Sequence, residues 1–119
     1  MSLKVYALEE CPFSIATVNM LKQINPNIEI ITVKKSEKEQ VKKLINHPTF
    51  PCTHLVNGNN IINLGGNDSI EFLVNKSSEL KKICNSQNNE FKDKLSEISI
   101  QTGLSKRILC NFYNALYTN

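Results

Sequence analysis

Val5-Tyr6-Ala7-Leu8-Glu9-Glu10-Cys11-Pro12-Phe13-Ser14 is the stretch that decides the fold. Val5 to Leu8 is a short apolar run of strand formers, bounded by two charges, and reads as a buried strand. Pro12 suits the first position of a helix, where its missing N–H removes nothing. Cys11 then becomes the cap residue. Ile15, Val18, Leu21 and Ile24 follow at helical spacing, and Asn25-Pro26-Asn27 stops the helix. Ile28 to Val33, rich in β-branched residues, reads as a second strand. A β-α-β start implies a parallel pair with a right-handed crossover.

Outward from there the punctuation continues. Ser36 with Glu39 fits a capping box, and Val41, Leu44 and Ile45 supply an apolar face ending at His47-Pro48. Thr53–Val56 and Ile61–Leu64 read as strands joined at Asn57-Gly58, a strong hairpin signal. Gly65-Gly66 breaks the second of these. Asp68 with Glu71 caps a third helix that carries Ile70, Leu73 and Val74. The expectation is therefore α/β, in the order βαβαββα with a mixed sheet, complete by about residue 84. A polar linker at Asn85–Asn89 separates this domain, residues 1–85, from a two-helix extension, residues 86–119. Phe91, Leu95 and Ile98 share one helical face. Gly103 is placed as a left-handed stop, Ser105 as the next cap, and Leu104 with Leu109 as a hydrophobic staple. Ile108, Phe112, Ala115 and Leu116 form the stripe of the last helix, and Cys84 and Cys110 are read as apolar-face residues.

Composition narrows the classes. The chain has 119 residues, 40% hydrophobic, enough for one core. No apolar run reaches the ~18 residues of a membrane helix, so no membrane association is expected. The first residues lack the layout of a signal peptide, and four cysteines are too few and scattered for a disulfide framework. A cytoplasmic, reducing setting is the expectation. The net charge is +3; seven cations and seven anions cancel through Leu73, so the excess lies in the tail. It is read as a solvated helical surface more readily than as an anion-binding one.

The thiol of Cys11 carries the chemistry. At a helix start it meets unpaired N–H groups and the positive end of the helix dipole, and both favour thiolate. Such sites lower a thiol from about 8.5 to roughly 4–7. An inert buried cysteine is the plainer alternative.

Cys11-Pro12-Phe13-Ser14 resembles the glutaredoxin active site in its single-cysteine version. Thr49-Phe50-Pro51 resembles that family's Thr-Val-Pro segment, whose proline is cis, and Gly65-Gly66-Asn67-Asp68-Ser69 its Gly-Gly-x-x-Asp turn. The resemblance covers residues 3 to 84. It implies a thioredoxin-like fold that binds glutathione and an oxidoreductase acting on glutathionylated or disulfide proteins. Cys11 would be the nucleophile. Phe50 would pair its backbone with glutathione, cis-Pro51 would hold that strand end beside Cys11, and Asn67 and Asp68 would meet the γ-glutamyl end.

The sequence also departs from the family. Ser14 replaces the second cysteine, so only a monothiol, deglutathionylating route remains. Leu8 stands where the family usually has a cation. Glu9 and Glu10 are expected to raise the thiol pKa. The family's last Asp falls on Ser69. Cys52 is either a substitute second thiol or a strand residue. No ligand pair among Cys11, Cys52, His47 and His54 has a recognised zinc spacing, so no metal is expected. Iron–sulfur members typically carry Gly where this chain has Pro12.

In the tail, Phe91-Lys92-Asp93-Lys94-Leu95, Thr102-Gly103-Leu104-Ser105-Lys106 and Asn114-Ala115-Leu116 resemble the N-terminal helical hairpin of the bacterial histone-like HU proteins. That implies a homodimer or docking face more than DNA reading, since Lys106 and Arg107 are few cations for phosphate contacts. Packing on the chain's own sheet is the plainest role. Two functions follow: a glutathione-dependent oxidoreductase, or a redox-weak binding module whose C-terminal helices mediate dimerisation, partner docking or nucleic-acid contact.

Overall fold

The computed structural model describes residues 1–84 and 89–117. Strand β1 (Ser2–Leu8) leads through Cys11 into helix α1 (Pro12–Ile24), then β2 (Glu29–Val33), a 3₁₀ turn (Lys35–Glu37) and α2 (Lys38–Ile45). The hairpin β3 (Cys52–Asn57) and β4 (Asn60–Gly65) follows, then α3 (Asn67–Asn75), α4 (Ser77–Cys84), α5 (Asn89–Thr102) and α6 (Lys106–Tyr117). The sheet runs β2-β1-β3-β4. β1 and β2 are parallel, and the other pairs antiparallel. This is a mixed α/β, thioredoxin-like fold with C-terminal helices. The stretch expected to be one third helix is two, divided at Lys76. Most of the expected linker, residues 85–88, lies outside the described residues, and Asn89 already belongs to α5.

Strand alternation decides the layers. Leu3, Val5 and Leu55 enter one core with Leu21 of α1, Ile70 and Leu73 of α3, and Leu109, Phe112 and Leu116 of α6. The opposite face of β1 carries half-buried Lys4 and Tyr6. There Tyr6 stacks edge-on against His54, centroids 5.2 Å apart. No residue of α2 is fully buried, and Leu44, expected on its inner face, is 83% exposed.

The last helix is fastened to the sheet domain by polar as well as apolar contacts. Tyr113 Oη donates to the Leu73 carbonyl at 2.6 Å, Tyr117 Oη to Ser77 Oγ at 2.7 Å, and Asn25 Nδ2 to the Ala115 carbonyl at 3.3 Å. The turn that delivers α6 follows local rules. Gly103 has φ +72°, its N–H reaches the Ser99 carbonyl at 2.9 Å, and Ser105 Oγ accepts from the Ile108 N–H at 3.2 Å. The stripe of α6 is wider than the periodicity implied, because Leu109 and Tyr113 are buried with Phe112, Ala115 and Leu116. Cys110 is partly buried against the same core.

Two local expectations need correction. Ser36 does not cap α2: the 3₁₀ turn absorbs it, and Glu37 takes the cap position with no side-chain bond. Nor does Asp68 cap α3. Gly66 does, and Asp68 sits in the first turn.

Candidate functional site

Cys11 is the N-cap of α1, extended at φ −94°, ψ 119°, with Pro12 at the first helical position. Its backbone is closed on both sides: its N–H reaches the Leu8 carbonyl at 3.4 Å, and its carbonyl accepts from Ile15 at 3.0 Å. Burial pushes the thiol pKa up. Hydrogen bonds from the Ser14 backbone and side chain and from the Phe13 backbone, with the charge of Lys38, outweigh it and leave the pKa lowered. The fraction present as thiolate at neutral pH therefore exceeds that of a free cysteine.

Ser14, in the place of a second cysteine, is buried, and its Oγ accepts the Leu8 N–H at 3.1 Å. It ties the end of β1 to the first turn of α1. The buried face of α1 is Ser14, Thr17 and Leu21, whereas Ile15, expected inside, is 53% exposed. The helix is rotated because two hydroxyls have partners within the fold. Thr17 Oγ1 donates to Asn67 Oδ1 at 2.8 Å, joining α1 to the start of α3. Asn67 thus turns its side chain inward, and its backbone opens the helix.

The remaining expected residues gather at this end of the sheet. Cys52 pairs with Tyr6, so Phe50 and Pro51 lie beyond it, toward the end of β1 from which Cys11 follows. The Phe50–Pro51 peptide bond is cis, and both residues are buried. Gly65, at φ +99°, pairs with Thr53 and turns the chain into α3. A Cβ built on Gly66 would lie 3.4 Å from the Pro51 carbonyl oxygen, an ordinary contact distance, which places the start of α3 next to the cis-proline segment. Asp68 is exposed in the first turn of α3, and no side chain caps that helix. Phe13, beside the thiol, is 62% exposed.

Cys52 belongs to a different environment. Its fully buried thiol is raised to about 11 by desolvation, and Sγ donates to Asn63 Oδ1 at 3.5 Å. It stays protonated near neutrality. Asn63 also accepts from Gly65 N–H at 2.8 Å and donates to His47 Nδ1 at 3.0 Å. Burial lowers the pKa of both His47 and His54. Among the described residues, no three His, Cys, Asp or Glu side chains are grouped to hold a metal ion. Nearby, a cavity of about 480 Å³ lies between the β4–α3 corner, His47 and the Gln101–Leu104 turn, and Cys11 does not line it.

The acidic pair behaves differently from expectation. Glu9 and Glu10 are not among the groups that act on Cys11, whose pKa moves down. Glu9 Oε1 accepts the Lys35 N–H at 3.0 Å, and Glu10 Oε2 pairs with Lys35 Nζ at 2.7 Å. The residue that sequence reading missed is Lys38. It is three positions past Lys35 at the start of α2, and only the fold brings its charge to Cys11.

A thiol of lowered pKa at a helix start, at the end of a thioredoxin-like sheet that also carries a cis-proline segment, is an arrangement suited to thiol–disulfide exchange. Residues 3–60 match the family model described as Glutaredoxin. That match contains Cys11, Phe50, Pro51 and Cys52 and ends before Asn67 and Asp68. It supports a thiol–disulfide oxidoreductase-like function. No curated protein and no solved structure matches the chain.

Proposed function

We propose that this protein reduces mixed disulfides between proteins and glutathione through the single thiol of Cys11. The observation that carries the reading is the lowered pKa of Cys11, produced by Ser14, Phe13 and Lys38. The Cys11 thiolate attacks the glutathione sulfur of the mixed disulfide. The target protein leaves as a thiolate and takes a proton from solvent, and glutathione remains disulfide-bonded to Cys11. A second glutathione thiolate attacks the sulfur of that bound glutathione, forming oxidised glutathione and returning Cys11 as thiolate. The net exchange consumes one glutathione thiol for each mixed disulfide: its sulfur joins the glutathione taken from the target as oxidised glutathione, the target sulfur becomes a thiol, and Ser14 is not required to resolve anything.

The site residues fit this substrate. Phe50 offers backbone groups beside the cis-Pro51 turn. The uncapped first turn of α3, at Asn67 and Asp68, presents N–H groups and a carboxylate to a zwitterionic amino-acid end. Lys38 supplies a cation for a glycyl carboxylate, which Leu8 cannot. The partners in this reading are glutathione and glutathionylated or disulfide proteins, and the C-terminal hairpin acts as a buttress of the sheet.

The test is glutathione-coupled reduction of a glutathionylated peptide. Cys11→Ser abolishes turnover and Cys52→Ser retains it. Full turnover by Cys11→Ser, or its loss in a folded Cys52→Ser, overturns the monothiol scheme.

A further inference from the structure

Glu9 and Glu10 directly precede Cys11, so chain connectivity alone leaves two carboxylates within reach of the thiol. Such charges oppose a thiolate. In the folded chain both are committed to one residue. Glu9 N–H reaches the Val33 carbonyl at 2.9 Å, Glu9 Oε1 takes the Lys35 N–H at 3.0 Å, and Glu10 Oε2 takes Lys35 Nζ at 2.7 Å. Glu10 adopts φ +59°, a left-handed conformation uncommon outside glycine, in the turn that makes this grip. The clasp joins the β1–α1 turn to the segment after β2, and Lys38, the charge that acts on Cys11, follows on that segment.

We propose that Lys35 is the positioning residue of the Cys11 site: it holds the Glu9 and Glu10 carboxylates to itself and fastens the start of α2, with Lys38, to the turn that bears the thiol. The inference rests on the reading of Cys11 as the reactive thiol. Lys35 touches no substrate in this scheme and acts through what it orients. Its ion pair is exposed on both sides, 62% and 75%, so it adds little to stability, and its effect is felt at the thiol instead. The charged groups acting on Lys35 are Glu10 and Glu9, and the charge acting on Cys11 is Lys38.

The experiment is the rate of iodoacetamide alkylation against pH, read by mass on the Cys11 peptide of the full chain. Lys35→Met raises the midpoint by about half a pH unit, the effect of one charge ~6 Å away through a water-like dielectric. Lys35→Arg keeps the original midpoint. Adding Glu10→Gln to Lys35→Met brings it part of the way back, because the carboxylate released from Lys35 Nζ is gone, while Glu9 keeps its bond to the Lys35 backbone N–H. The melting temperature stays within a degree or so in all of them. An unchanged midpoint in Lys35→Met, or an equal rise in Lys35→Arg, overturns the proposal. So does a lowered melting temperature with an unmoved midpoint. Alkylation needs no glutathione: a wild-type chain without glutathione-coupled turnover, but with the midpoint shifted by Lys35→Met, would remove the proposed activity and leave this role standing.

Discussion

Replacing Phe112 with alanine asks whether the last helix is an appendage or part of the core. The ring is fully buried, packs edge-on against Tyr113 at 5.1 Å, and shares one cluster with Leu3, Val5 and Leu55 of the sheet and Leu21 of α1. Removing a buried phenyl group costs about 3–5 kcal/mol, combining lost transfer energy with the cavity left behind. Against a whole-domain stability of roughly 5–15 kcal/mol, that is a large share. With a urea slope near ~2 kcal/mol/M, a loss of about 4 kcal/mol lowers the unfolding midpoint by about 2 M. Two probes on the same samples decide the matter: far-UV dichroism for the helices, and labelling of the buried Cys52 thiol for opening of the sheet. Both transitions move down together if α6 and the sheet unfold as one unit. Leu44→Ala, at an exposed position, serves as the control and leaves both unmoved. If Phe112→Ala shifts the helical signal while Cys52 keeps its wild-type protection, the shared core is refuted and the tail is a separate, docked unit.

Other outcomes follow from single groups. Ser14→Ala removes one of the hydrogen bonds that favour the Cys11 thiolate, so the alkylation midpoint of Cys11 rises while glutathione-coupled turnover continues. Loss of all turnover would show Ser14 to be more than an orienting hydroxyl. Thr53 Oγ1 is buried with no hydrogen-bond partner, so Thr53→Val should stabilise the chain by about 1 kcal/mol in urea melts, and a decrease would reveal a hidden partner. Burial, with His47 and Lys4 nearby, lowers the His54 pKa. A base with a depressed folded pKa lets the unfolded chain bind more protons, so its contribution is complete above the unfolded value of about 6.5 and declines as pH falls below it. Stability measured from pH 7.5 to 5 should therefore drop, and His54→Gln should flatten that drop; an equal slope in the variant would assign it elsewhere.

The order of elements was legible because its signals are local. Pro12 after an apolar strand, Asn57-Gly58, Gly65-Gly66, Gly103 and Ser105 act through backbone dihedrals and capping within a few residues, and the chain obeys them wherever it folds. The same locality makes Cys11 visible as the cap of a helix. Locality also explains the misreadings. Ile15 was expected inside by spacing alone, but the rotation of α1 is set by Ser14 bonding to Leu8 and Thr17 bonding to Asn67, fifty residues away. Leu44 fits an inward stripe, yet no residue of α2 is fully buried.

What only the tertiary structure decided is which charges act on the thiol and where the tail packs. By sequence, Glu9 and Glu10 are the nearest charges to Cys11 and Lys38 is remote. The parallel crossover of β1 and β2 reverses this by placing Lys35 against the two carboxylates and bringing the charge of Lys38 to act on the thiol. The apolar stripe of α6 likewise has no address in its own pattern, since dimer, partner and self-packing call for the same residues. Its address is supplied by Tyr113 reaching Leu73 and Asn25 reaching Ala115, contacts across 40 and 90 residues. Periodicity tells a helix that it has a face to bury. Only the closing of long loops, whose entropy must be offset by the surface they bury, tells it where.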